Sequence, residues 1–117
     1  MPGTDLPVFV YGTLLDARVF ARFAGHAPLR RAVPARLVGW RRVALRGTPY
    51  PTLVRGEGLV SGLLLPRLPP AAFARLAAYE GASYALAPLR VATRRGPRRA
   101  RAWIAARWRA DPATGWA

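Results

Sequence analysis

Apolar positions fall along this chain in short blocks separated by glycine and proline, and their spacing changes from block to block. The first block, Val8-Phe9-Val10, is continuous and runs into Tyr11-Gly12-Thr13-Leu14. It predicts a strand covered on both faces. Gly12 lets that strand end in a tight turn whose N–H groups face either a cavity or an ordinary connection to a helix. Behind Asp16, a natural N-cap, Val19, Phe20 and Phe23 recur at helical spacing, and Gly25 marks the stop. From Ala35 to Arg46, Val, Leu and Trp are interrupted by Gly39, which predicts one bent strand or two short ones. Tyr50 to Val54 and Leu59 to Leu65 flank Gly56-Glu57-Gly58 and read as a hairpin about that turn, with Gly62 marking a bulge or a close approach.

Pro69 and Pro70 precede Ala71 to Glu80, a run of good helix formers closed by Gly81. Tyr84 to Thr93 and Arg101 to Trp108 are the last strand candidates, joined by a basic turn from Arg94 to Arg99. Strand, helix, several strands, helix and two strands predict an α+β domain whose short strands wrap a small barrel-like sheet. With 117 residues the chain makes one domain, with a core over about residues 6–108 and a loosely held tail over 109–117. No apolar run approaches the length of a membrane span and no leader pattern is visible, so the expected compartment is the cytoplasm.

A formal charge of +14 raises the question of a nucleic-acid partner. All 19 basic residues are arginine, however, and Ala, Arg, Gly and Pro fill more than half the chain. Those four residues share GC-rich codons, so a GC-rich genome accounts for the bias. The arginines are spread along the chain with no stacking motif among them, and no specific nucleic-acid or membrane partner is expected.

Candidate chemistry can be reached by elimination. The absence of cysteine removes disulfides, thiolate metal sites and a thiol nucleophile. His26 follows Gly25, where an imidazolium would favour a helix C-terminus, and neither Ser61 nor Ser83 has a second histidine to serve it. Scattered carboxylates do not suggest a metal site. Of the five acids, Asp5, Asp16, Glu57 and Asp111 sit at the terminus, at a cap or in turns. Glu80 differs, because Phe73, Leu76, Ala77 and Glu80 follow i, i+3, i+4, i+7 and place the carboxyl on an apolar helix face. There it either swings to solvent or pairs with an arginine, or it stays desolvated with a pKa near neutrality, as a group that accepts and donates protons requires.

Val8-Phe9-Val10-Tyr11-Gly12-Thr13-Leu14, Tyr50-Pro51, Val60-Ser61-Gly62 and the Leu76 to Tyr84 segment resemble, in order and spacing, the gamma-glutamylcyclotransferase-like family. The resemblance covers Val8 to about Ala105. It implies a small mixed β-barrel with flanking helices, and cyclisation of a γ-glutamyl amine or peptide to 5-oxoproline with release of an amine and no cofactor. It also implies that Tyr11, Gly12, Thr13, Leu14 and Leu15 form the substrate loop, with Tyr84 beside it and Glu80 as general acid/base. The chain departs from the family pattern at three positions: Ala77 in place of a frequent Asp, Leu86 in place of a frequent Arg, and Ala105 in place of a pocket aromatic. A ligand-binding or structural protein on the same fold is the competing expectation, and a basic nucleic-acid-binding domain a further one.

Overall fold

The computed structural model describes residues 6–25, 27–66 and 68–116, the side chains of Thr13, Phe23 and Ala27 excepted. The roles expected for Asp5 and His26 lie outside the described residues. Strand β1 (Val8–Val10) is buried at every position, and its two faces meet different partners. Phe9 packs inward with Leu37, Leu53, Val60 and Leu64, whereas Val8 and Val10 pack outward with Phe20, Leu65, Leu76 and Trp103. Alternation along a strand produces this split. The continuous apolar run thus marks a wall between two cores, one inside a barrel and one between barrel and helices.

The remaining strands are β2 (Val33–Leu45), β3 (Pro51–Leu65), β4 (Tyr84–Thr93), β5 (Gly96–Ala105) and β6 (Ala110–Gly115). They are ordered β3-β1-β5-β4-β2, and a β2–β3 pairing closes the ring into a five-stranded barrel with β6 added against β2. The β1–β5 pairing, Val8 to Arg101, is parallel and the others are antiparallel, so the barrel is mixed. A side chain on Gly62 would come within 2.3 Å of the Val10 carbonyl and 2.8 Å of the Phe9 ring, which makes this glycine the close approach that its place in the strand suggested.

Three expectations change. Gly56-Glu57-Gly58 is not a turn: β3 runs through it, and the hairpin partner of β3 is β2, connected through residues 46–50. The glycines serve a local irregularity in which Val38 faces Leu59 while Trp40 faces Arg55, and a Cβ at Gly58 would lie 2.9 Å from the Trp40 carbonyl. β5 begins at Gly96 and ends at Ala105, which leaves a two-residue turn at Arg94-Arg95 and puts Trp108 in a single 3-10 turn, 75% exposed. The tail is also held: β6 pairs Ala110, Asp111 and Gly115 with Leu45, Ala44 and Val43. Its sequence, Ala-Asp-Pro-Ala-Thr-Gly, has only Thr114 as a strand former, and the β2 edge supplies the order.

Helices α1 (Ala17–Ala24), α2 (Ala27–Arg30) and α3 (Pro70–Glu80) cover the outer face. The Asp16 carboxylate accepts from the Arg18 N–H at 2.9 Å, as its N-cap position predicts. Pro70 occupies the first turn of α3, and Gly81 at φ 74° ends it immediately after Glu80. Leu76 is fully buried, with Phe73 and Ala77 packed in the same cluster. No helix among the described residues is long and apolar enough to cross a membrane.

Candidate functional site

Strand β1 delivers Tyr11 and Gly12 to one end of the barrel, where the chain turns through a 3-10 segment, Thr13–Leu15. The Leu15 N–H donates to the Gly12 carbonyl at 2.9 Å and closes that turn. The N–H groups of Gly12, Thr13 and Leu14 precede the first such bond and have no acceptor within the turn. On the opposite side, the last turn of α3 brings in Glu80 and the start of β4 brings in Tyr84. The two segments meet: Tyr11, Gly12, Leu14, Glu80 and Tyr84 line one cavity of about 260 Å³, with Tyr50 and Pro51 at the start of β3 and Trp103 from β5. Leu15 lies off the lining, half-buried among the residues that pack under the helices. Thr13 contributes its place in the turn, and its side chain lies outside the described residues.

Burial pushes the Glu80 carboxyl up from the usual 4.5 to about 7. The residue is half-buried and lines the cavity, as expected for the desolvated alternative. The Tyr84 hydroxyl donates to the Pro51 carbonyl at 2.7 Å, and burial first, then the field of Glu80, pushes it up to about 12. Tyr11 is buried, and its hydroxyl donates to the Trp103 carbonyl on the neighbouring strand β5. Burial, then Tyr84 and Glu80, hold this phenol well above its ordinary range, opposed by a hydrogen bond with Thr52. Thr52, the one buried polar residue in the described core, in turn accepts from the Ala105 N–H at 3.0 Å. Both tyrosines are neutral donors at pH 7, leaving Glu80 as the group that exchanges a proton near neutrality.

Gly12 is fixed by space as well as by the turn. A Cβ there would meet the Pro51 side chain at 2.7 Å, so any other residue displaces the cavity wall. Sequence reading missed Arg42, whose Nη1 donates to the Tyr11 carbonyl at 2.6 Å. Only strand alternation could have singled it out, since Arg41 on the other face is exposed while Arg42 is half-buried. Of the three departures, Ala77 and Leu86 pack in the same outer apolar cluster, and Ala105 is buried with its N–H on Thr52.

Residues 8–116 match the family model described as gamma-glutamyl cyclotransferase, AIG2-like. Among solved structures, the Arabidopsis thaliana protein At5g39720.1 is 28% identical with a TM-score of 0.76, over 93% of this chain and 73% of that one. The Arabidopsis thaliana protein At3g28950.1 is 27% identical with a TM-score of 0.71, over 86% and 61%. A structure titled gamma-glutamyl cyclotransferase shares the fold, with a TM-score of 0.70 at 17% identity over 91% and 68%. No curated protein sequence matches significantly. With the family model spanning nearly its whole length, the chain belongs to the gamma-glutamyl cyclotransferase, AIG2-like family.

Proposed function

We propose that the protein cyclises a small γ-glutamyl amine or peptide to 5-oxoproline, with Glu80 as general acid/base and the Tyr11 to Leu14 turn as the substrate cradle. The observation that carries this reading is the convergence of that turn and a carboxyl of raised pKa, about 7, on one cavity. The reaction needs a base that later becomes an acid. Glu80 as carboxylate takes a proton from the substrate α-ammonium, and the freed amine attacks the γ-carbonyl carbon. The new C–N bond closes the ring, Glu80 returns the proton to the γ-nitrogen, and the γ-amide C–N bond breaks. The ring nitrogen gives up its second proton to the departing amine, leaving a neutral lactam and an ammonium. A carboxyl at its ordinary pKa would serve as base and be a poor acid, whereas one near 7 does both. The N–H groups that open the turn stabilise the negative oxygen on the γ-carbon or hold the substrate α-carboxylate. Nucleophile and electrophile lie in one molecule, so the chemistry calls for no cofactor.

The test is release of 5-oxoproline from a panel of γ-glutamyl amines, amino acids and peptides by the wild type and by Glu80→Gln. The wild type should turn over at least one, and the amide variant should lose about 100- to 10,000-fold in kcat while remaining folded. Equal turnover in the variant would remove Glu80 from the mechanism.

A further inference from the structure

The Tyr11 carbonyl and the Gly12 N–H belong to one peptide unit, and in a trans peptide these two groups point in opposite directions. Whatever grips the carbonyl therefore aims the N–H. The grip here is a cation: Arg42 reaches from β2, and its Nη1 donates to the Tyr11 carbonyl at 2.6 Å. The guanidinium is itself held, lying 5.1 Å from the centre of the Trp116 ring, while the Trp116 indole N–H donates to the Pro49 carbonyl at 2.9 Å. The Trp116 backbone N–H returns to the Arg42 carbonyl at 3.3 Å. Two residues past Pro49, Pro51 forms the wall against Gly12. The Arg42 Nε is buried with no partner, a costly state that a side chain placed only for solubility would not adopt.

We infer that Arg42 is a positioning residue: it locks the Tyr11–Gly12 peptide with its N–H toward the cavity and, by drawing on the carbonyl, makes that N–H a stronger donor to a bound carboxylate or oxyanion. The step rests on the proposed reading of the turn as the substrate cradle. Charge-assisted bonds to a carbonyl polarise the whole amide, so the effect passes through the peptide without Arg42 touching substrate. Trp116, from the last described segment, restrains the guanidinium through its ring. The residue that follows β6 thereby acts on the site although it lines none of it.

The experiment follows the Gly12 amide by 1H–15N NMR while glutamate or formate is titrated into the wild type, Arg42→Met and Arg42→Lys, with melting curves for each. In the wild type the Gly12 resonance should move on titration. In Arg42→Met, glutamate affinity and kcat/KM should fall by about 10- to 100-fold, because a loosened donor costs binding and turnover together. Arg42→Lys, which keeps the charge without the planar stack, should fall between the two. The pH at which activity is half-maximal should stay that of the wild type, since Glu80 is untouched. A Gly12 resonance indifferent to both anions, or unchanged affinity in Arg42→Met and Arg42→Lys, overturns the inference. If Arg42→Met does not fold, Arg42→Lys alone decides. Normal binding that responds to Arg42, with no 5-oxoproline from any substrate, would refute the cyclotransferase reading and leave this one standing.

Discussion

Replacing Glu80 by Gln should make the folded protein more stable in neutral and alkaline solution, and by an amount that depends on pH. The carboxyl is moved from 4.5 to about 7 by burial, so ionising it in the folded state carries a penalty of up to about 3 kcal/mol. The sign follows from linkage. Between those two values the folded chain keeps a proton that the unfolded chain has given up, so unfolding releases it and stability falls as pH rises through the window. Below pH 4.5 the carboxyl is neutral in both states and contributes no penalty. Just above pH 7 the penalty is complete. Gln has the same shape and never ionises, so the difference between variant and wild type isolates this one group while every other titration cancels. Urea unfolding at pH 4 and pH 8 gives the measurement. The variant should match the wild type at pH 4 and exceed it by up to about 3 kcal/mol at pH 8, on the order of 10 °C in Tm. Equal differences at both pH values would refute a buried, raised carboxyl at this position.

In the wild type, kcat/KM should drop about tenfold per pH unit below 7 as the base is protonated, and a flat profile from pH 5 to 8 would exclude Glu80 as the base. Gly62→Ala should destabilise the barrel by about 3 kcal/mol or more, because the new methyl meets the Val10 carbonyl at 2.3 Å and that backbone is fixed by β1–β3 pairing; denaturant midpoints read the loss. Crystals grown with sulfate, formate or glutamate should show an anion at the turn that opens with Gly12, and a soaked crystal with solvent alone there would count against the cradle. Arg41, Arg46, Arg55 and Arg107 gather around one groove beside the exposed Trp108, so nucleic acid should bind weakly there, without sequence preference, and be lost with salt. Tight, selective binding to one oligonucleotide at physiological salt would reverse that expectation.

Local rules sufficed where one residue type does one job. Asp16 caps, Gly25 and Gly81 stop helices, Pro70 starts one, and the i, i+3, i+4, i+7 series ending in Glu80 put that carboxyl on the face that meets the barrel. The failures have a common physical origin. Gly56 and Gly58 look like turn signals, yet each admits a neighbour from another strand, and the identity of that neighbour is set by pairings far away in the chain. The same holds for residues 110–115, ordered by an edge that β2 offers, and for Arg42, whose bond to Tyr11 spans 31 positions. The fold class and the two segments that line the cavity were thus legible, while the supports that hold them were not.

The β1–β5 pairing bears on how this protein is made. β1 is made before both of its walls, β3 and β5, and the Tyr11 hydroxyl finds its acceptor 92 residues downstream. At ordinary rates of synthesis that separation is on the order of 5 to 20 s, during which Val8-Phe9-Val10 has no partner on its β5 side. Such long-range closure also belongs to the slow end of folding for domains of this size. Until β5 is made the nascent chain therefore carries an apolar strand open on one edge, and a product cut short before β5 has the turn and the glutamate but no barrel to bring them face to face.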